Sequence, residues 1–333
     1  MTDTAAVHAS GLVKEFGDLR AVDGIDLEVR QGEILGVLGP NGAGKTTMLR
    51  MLATLLPIDA GDARIFGVDV AREPHRVRQL IGVTGQYASV DENLTASENL
   101  WLFGRLQGMR SADARATARR LIAQFGLEDA AERPLAQFSG GMRRRLDLAA
   151  SLITRPPLIF LDEPTTGLDP RTRGQMWGTI RGLVAEGCTV LLTTQYLDEA
   201  DQLADRITVI DRGRKVAEGT PDELKASVGS STLQLQLAAG ADQALACDVI
   251  RRVLGSEPVL TPESGRINAP LTVADRAADV LIALREAAVA IASVSVDKPT
   301  LDEVFLALTG HDAAQDDEPA STEHDEPALE VVR

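Results

Sequence analysis

Long apolar runs are missing from this 333-residue chain. No stretch approaches the roughly 18 residues that would carry a helix across a bilayer. Cysteine is nearly absent: Cys188 and Cys247 stand far apart, offer no metal spacing or disulfide framework, and read as small buried side chains. Positive charge is also short. A formal net charge of −15 argues against a general nucleic-acid binder, which would carry a basic footprint. The opening Met-Thr-Asp-Thr has neither the charged n-region nor the apolar h-region of a signal peptide. These absences predict a cytoplasmic protein whose membrane role, if it has one, comes through a partner. What is present fits a globular chain, with 44% hydrophobic and 25% charged residues and enough length for one large core and a smaller second one.

The most informative stretch is Gly39-Pro40-Asn41-Gly42-Ala43-Gly44-Lys45-Thr46-Thr47. It follows the apolar run Ile34-Leu35-Gly36-Val37-Leu38, a predicted buried strand, and precedes the helical pattern Met48-Leu49-Arg50-Met51-Leu52. A glycine-rich turn between a strand and a helix N-terminus lets successive backbone N–H groups converge on an oligophosphate, aided by the helix dipole. Lys45 then reaches the β and γ phosphates, and the Thr46 hydroxyl is placed to ligate Mg²⁺.

Residues 7–30 alternate in short runs such as Ile25-Asp26-Leu27-Glu28-Val29, which predicts antiparallel strands. Phe16 lies on a turn and reads either as a loop aromatic covering a core edge or as a stacking platform for an adenine ring. A strand at residues 80–84 leads to Gly85-Gln86, and from about Leu94 to Leu152 the pattern turns helical. That insertion ends in Phe138-Ser139-Gly140-Gly141-Met142. Ser139 is a good N-cap there, and the glycines expose N–H groups at a helix start, a second anion site or an ordinary capped helix. The following Arg143-Arg144-Arg145 reads mostly as a solvated face, with one member available as an anchor. The apolar strand Leu158-Ile159-Phe160-Leu161-Asp162 then ends in two carboxylates, Asp162 and Glu163. Buried charges there need a partner; Mg²⁺ at Asp162 supplies one, and Glu163 is placed to polarise an attacking water.

In combination these motifs resemble the ATP-binding-cassette (ABC) ATPases over a domain spanning residues 7–226, with its helical subdomain at about 87–152. The resemblance implies an α/β fold of the P-loop NTPase class, an ABC-type nucleotide-binding domain with a β-rich core, and ATP and Mg²⁺ as ligands. Phe16 falls at the adenine-stacking aromatic, Gln86 at a glutamine that touches Mg²⁺ or water, and Ser139-Gly140-Gly141 at the signature motif. Asp162 and Glu163 match the metal-binding and catalytic carboxylates, and Gly167-Leu168-Asp169 matches the D-loop. The family implies a head-to-tail homodimer, each ATP held between one subunit's phosphate loop and the other's Ser139-Gly140-Gly141. It also implies a separate integral membrane permease, met by the helical stretch from Leu94 to Gly108, and a peripheral place on the inner membrane face. Two positions depart from the pattern. Met142 stands where glutamine is usual, and Gln195 stands at the switch histidine; the four histidines, at 8, 75, 311 and 324, lie elsewhere. An amide can donate to a γ-phosphate but carries no proton, which places turnover in question more than binding.

Thr193-Thr194-Gln195-Tyr196-Leu197-Asp198-Glu199-Ala200 and Lys298-Pro299-Thr300-Leu301-Asp302-Glu303-Val304-Phe305 are similar to the daunorubicin/doxorubicin-resistance exporter subfamily. Residues 231–310 are predicted as a small α+β domain whose βαββαβ order suggests a ferredoxin-like module. Residues 311–333 hold eight Asp/Glu against one Arg, the composition of a disordered acidic tail. The implied function is an ATPase energising export of a drug, antibiotic or lipid-like compound. The alternatives are a nucleotide-gated switch with little turnover, prompted by Gln195, and a soluble cassette acting on chromosomes or ribosomes. Against the last stand the single cassette, the short spacing between phosphate loop and signature, and the acidic charge.

Overall fold

Alternation in residues 7–30 produces two long antiparallel strands, β1 (Val7–Phe16) and β2 (Leu19–Val29), paired from Val7 opposite Val29. On β2, Ile25, Leu27 and Val29 face inward while Asp26 and Glu28 face out, the period of a half-buried strand. The structure, a computed structural model, describes residues 5–84, 90–228, 231–238, 240–261, 265–271, 275–297 and 299–310. Gln86 and the acidic stretch 311–333 lie outside the described residues.

The first domain continues through β3 (Ile34–Leu38), α1 (Lys45–Leu52), β4 (Ala60–Ile65), β5 (Val68–Asp69), α2 (Pro74–Leu80) and β6 (Ile81–Thr84). The helical insertion supplies α3 (Ala96–Leu106), α4 (Ser111–Gln124) and α5 (Gly140–Ser151). Then come β7 (Leu158–Asp162), α6 (Pro170–Ala185), β8 (Thr189–Thr194), α7 (Leu197–Leu203), β9 (Arg206–Asp211), β10 (Arg214–Gly219) and α8 (Pro221–Val228).

Two sheets result. One is antiparallel, in the order β2-β1-β4-β5; the other has six strands in the order β10-β9-β3-β8-β7-β6, parallel from β9 to β6 with β10 an antiparallel edge. Strands β3, β7 and β8 are buried along their whole length because both faces are covered, which is why they read as unbroken apolar runs. Leu35, Val37, Leu158, Phe160 and Leu191 pack toward α1 and the antiparallel sheet. Ile34, Ile159, Leu161, Val190 and Leu192 pack the other way, onto residues of α5 and α6 such as Leu146, Ala149, Met176 and Ile180. Thr95 and Glu98 close a reciprocal capping box at the start of α3, fixing where the insertion's first helix begins.

Beyond the first domain lie β11 (Ser231–Leu237), α9 (Gln243–Leu254), β12 (Val259–Thr261), β13 (Arg266–Leu271), α10 (Arg276–Glu286) and β14 (Ile291–Asp297). They form an all-antiparallel sheet ordered β12-β13-β11-β14, with β11 in the interior and the hairpin partner β12 at one edge. This is the split βαβ arrangement of a ferredoxin-like module. Leu233, Leu235 and Leu237 of β11 share its core with Ile250, Val280 and Leu284. The last helix, α11 (Leu301–Thr309), behaves differently. Capped by Thr300 and Glu303, it buries Leu301, Val304 and Phe305 with Leu197, Ala200 and Leu224 of α7 and α8. The chain therefore returns to the first domain after forming its third sheet.

Candidate active site

The parallel strands β3, β7 and β8 end side by side, and their C-terminal edge is where an open α/β sheet presents ligand-binding loops. The loop from Gly39 to Gly44 leaves β3 and is held tightly. A Cβ on Gly39 would lie 2.2 Å from the Ile210 carbonyl oxygen, and one on Gly44 would lie 2.2 Å from that of Ala21. Gly44 also has φ +100, a conformation that L side chains resist. Asn41 and Gly42 are exposed at the tip, Pro40 and Thr47 are half-buried, and Ala43 is buried, with its N–H donating to the Pro40 carbonyl at 3.2 Å. Lys45, at the first position of α1, is buried; its Nζ donates to the Gly39 carbonyl at 2.7 Å and the Pro40 carbonyl at 3.0 Å. The ammonium thus curls back onto the carbonyls at the start of the loop.

Beneath the loop, three hydroxyl and carboxyl groups converge. Thr46 Oγ1 donates to Asp162 Oδ1 at 2.9 Å, and Thr193 Oγ1 donates to the same oxygen at 2.6 Å. Asp162 is only 2% exposed. The next residue, Glu163, has φ +48, uncommon for a residue with a Cβ, and its N–H donates to both the carbonyl and the hydroxyl oxygen of Thr193, at 3.1 and 3.2 Å. Its carboxylate accepts from the Thr166 hydroxyl at 3.2 Å. Gln195 follows β8, just beyond the strand position, Thr193, that pairs with Asp162. Its Oε1 is buried without a hydrogen-bond partner among the described residues.

The remaining expected residues sit elsewhere. Ser139 caps α5, accepting from the Met142 N–H at 3.3 Å, and is exposed with Gly140. Gly141 packs so closely on α6 that a Cβ there would be 2.3 Å from Thr172 Cγ2. Asp169 caps α6 through the Thr172 N–H and hydroxyl, at 3.0 and 2.6 Å, and these bonds hold its carboxyl below the ordinary range. Ser139-Gly140-Gly141 and Asp169 therefore form one corner at the starts of α5 and α6. Phe16 ends β1, 48% exposed, with the Lys14 ammonium 5.5 Å from its ring centre.

Three features were not apparent from sequence. Thr193 was part of an apolar strand with no assigned role, yet it bonds both carboxylate-bearing residues. Glu199 is fully buried, accepting from the Thr165 hydroxyl at 2.8 Å and the Trp177 indole N–H at 3.3 Å; burial raises its pKa despite hydrogen bonds that oppose the shift. The arginine triplet is a correction. Rather than a mostly solvated face, Arg143 pairs with Glu92 at 2.6 Å, Arg144 donates to the carbonyls of Asp162, Glu163 and Pro164, and Arg145 donates to the Phe125 carbonyl at 3.0 Å. Each guanidinium satisfies carbonyl or carboxylate groups 8 to 51 residues away, a role that a run of like charges does not announce.

The family described as ABC transporter matches residues 22–166, from β2 through the loop and α5 to the turn after β7. The daunorubicin/doxorubicin resistance ATP-binding protein DrrA of Streptomyces peucetius is 56% identical over 316 residues, 93% of this chain and 94% of that protein. This chain is an ABC-family ATPase. A further family, the C-terminal domain of DrrA1-3-like ATP-binding proteins, matches residues 219–309, a span that contains both α8 and α11. The Nod factor export ATP-binding protein I of Ralstonia nicotianae is 46% identical over 221 residues, covering 66% of this chain and 69% of that protein. A dimeric ATP-binding cassette in a post-hydrolysis state with ADP and Pi superposes with a TM-score of 0.59 at 27% identity, over 64% of this chain and 98% of the other. As an ABC-family ATPase, the chain binds ATP.

Proposed function

We propose that this chain is the ATP-hydrolysing subunit that energises a separate integral membrane permease for export of a drug, antibiotic or lipid-like compound. It works as a homodimer, peripheral on the inner face of the cell membrane. The observation that carries the catalytic part is the convergence of Thr46, Asp162, Glu163 and Thr193 at the start of α1, with Gln195 two residues beyond Thr193. Likeness to resistance and export ATP-binding proteins, through the C-terminal domain as well as the cassette, supports the transport part and does not favour a low-turnover switch. Among the described residues no helix is long and apolar enough to cross a membrane, so the translocation path falls to a partner. On α3, Leu102 and Leu106 are 37% and 72% exposed, apolar surface suited to that contact.

The donor set fits Mg²⁺. Thr46 and Asp162 put two hard oxygens 2.9 Å apart at the start of α1, and a magnesium site of this kind takes one or two protein ligands with the rest from phosphates and water. Among the described residues no cluster of three or more His, Cys, Asp or Glu competes as a metal site. Gln86 is assigned to the same ion or to water. The ion, when bound, neutralises charge on the β and γ phosphates.

The protein's own groups do the rest. Phe16 stacks on adenine, and the N–H groups from Gly39 to Thr47 cradle the phosphates. Lys45, already turned over the loop, exchanges its carbonyl partners for phosphate oxygens. Glu163, held at φ +48, directs its carboxylate toward the water that attacks the γ-phosphorus. Gln195 donates its amide to the γ-phosphate and steadies the developing charge. Ser139-Gly140-Gly141 and Asp169 complete the partner's site.

The test is Glu163→Gln. With ATP and Mg²⁺ this variant is expected to bind nucleotide, lose about 10²- to 10⁴-fold in turnover, and elute as a dimer. A monomer that keeps wild-type activity refutes the assignment. Co-expression with the permease is expected to move the protein to the membrane fraction and confer efflux; efflux without a permease refutes the export reading.

A further inference from the structure

Arg144 stands just beyond the first turn of α5, the helix that Ser139 caps, and reaches back under the turn after β7. Its Nη2 donates to the carbonyls of Asp162 and Glu163 at 2.7 and 3.0 Å, and its Nε donates to the Pro164 carbonyl at 3.1 Å. One side chain thus holds three successive carbonyls of the turn that carries the attacking-water carboxylate. Burial lowers the guanidinium pKa, and the nearby carboxylates of Asp147, Asp162, Glu199 and Glu163 offset part of that cost.

The turn needs holding. Glu163 sits at φ +48, a conformation that persists in a residue with a Cβ only where its surroundings over-determine it. Arg144 supplies one side of that restraint. Glu199 supplies the other by accepting from Thr165 at 2.8 Å. A planar guanidinium spreads its donors over a fork wide enough for three carbonyls. A lysine carries its donors on one nitrogen and cannot span them. At the N-terminal end of the same helix, the contact of Gly141 with Thr172 ties α5 to the start of α6.

We propose that Arg144 is a positioning residue that transmits the state of the Ser139-Gly140-Gly141 end of α5 to the Glu163 carboxylate. This rests on the assignment of Glu163 as the group that activates water. In a head-to-tail dimer those two ends belong to different nucleotides. The helix and its arginine therefore form a rigid strut by which occupancy of one site sets the geometry of attack in the other.

The experiment is a double-mutant cycle in the intact complex with its permease, reading steady-state phosphate release against ATP concentration. Arg144→Lys is expected to lower kcat about 10- to 100-fold, the cost of a small misplacement of a catalytic group, with the KM for ATP changed by less than about 3-fold. The Hill coefficient for ATP falls toward one. In the Glu163→Gln background the same substitution is expected to change the residual rate by less than about 2-fold, because no carboxylate remains to be positioned. Equal losses in both backgrounds mean a merely structural role and overturn the link while leaving Glu163 in place. Wild-type turnover in Glu163→Gln alone overturns the assignment beneath it. Arg144→Gln, which keeps an amide donor, is measured alongside; if neither variant folds, judged by thermal melting, Arg144 is a fold determinant and the proposal fails.

Discussion

Replacing Gln195 by alanine separates catalysis from stability with unusual clarity. The side-chain Oε1 is buried without a partner among the described residues, and leaving such a carbonyl unsatisfied costs about 1–3 kcal/mol. Truncation removes that cost but also removes the Cγ methylene, which contributes about 0.8 kcal/mol when buried, and leaves the carboxamide's space empty, a cavity cost of about the same size. The two effects nearly cancel, so the nucleotide-free Gln195→Ala protein is expected within about 1 kcal/mol of wild type. That corresponds to a Tm change of a few degrees at most for a domain of this size, roughly 2–4 °C per kcal/mol. Catalysis has no such offset. Removing one donor aimed at developing charge lowers kcat about 10²- to 10³-fold, equivalent to about 3–4 kcal/mol.

The assay is phosphate release from wild type, Gln195→Ala and Gln195→His with permease present, between about pH 6 and 8, alongside thermal melting of each protein. Gln195→His is expected to retain activity and to add a pH dependence that the amide lacks, since imidazole titrates in that window. Wild-type turnover in Gln195→Ala refutes the donor role. An inactive wild type rescued by histidine shows instead that the site is degenerate, and a collapse of Tm together with activity refutes the energetic argument.

Lys45→Ala is expected to weaken ATP binding about 10- to 100-fold, the worth of a hydrogen bond to a charged group, and to abolish turnover while the fold persists; a binding titration checks it. Gly44→Ala places a Cβ 2.2 Å from the Ala21 oxygen at φ +100, so a loss of about 3 kcal/mol or more is expected in denaturant melts. Glu199→Gln tests the buried carboxyl. Burial raises its folded pKa, so its stabilising neutral form is fully present below the ordinary glutamate value and is lost as pH rises through the folded one. Wild type should therefore lose stability on going from about pH 5 to 8 more steeply than Glu199→Gln, and parallel pH profiles count against that burial.

The sequence by itself determined the parts whose chemistry is local. A strand, a glycine turn and a helix start are consecutive residues, so the phosphate loop with Lys45 and Thr46 was legible before any fold was known. The apolar runs ending at Asp162 and Thr194 marked interior strands because two-sided burial removes alternation. The βαββαβ order of the second domain followed from periodicity switching between two and 3.6 residues. What periodicity does not encode is which strand lies beside which. Asp162 accepts from Thr46 across 116 residues and from Thr193 across 31, and both bonds depend on β7, β8 and β3 lying in one parallel sheet in a fixed register. Only that sheet turned Thr193 from a strand residue into a bridge between Asp162 and Glu163. The same holds for Arg144, whose three carbonyl partners belong to a turn 18 to 20 residues further along the chain. It also holds for α11, an amphipathic helix whose apolar stripe packs on α7 and α8 rather than on the neighbouring sheet of the second domain. Local propensity decided what each segment becomes; the choice among distant surfaces of similar chemistry was made by shape and register, which exist only once the chain has folded.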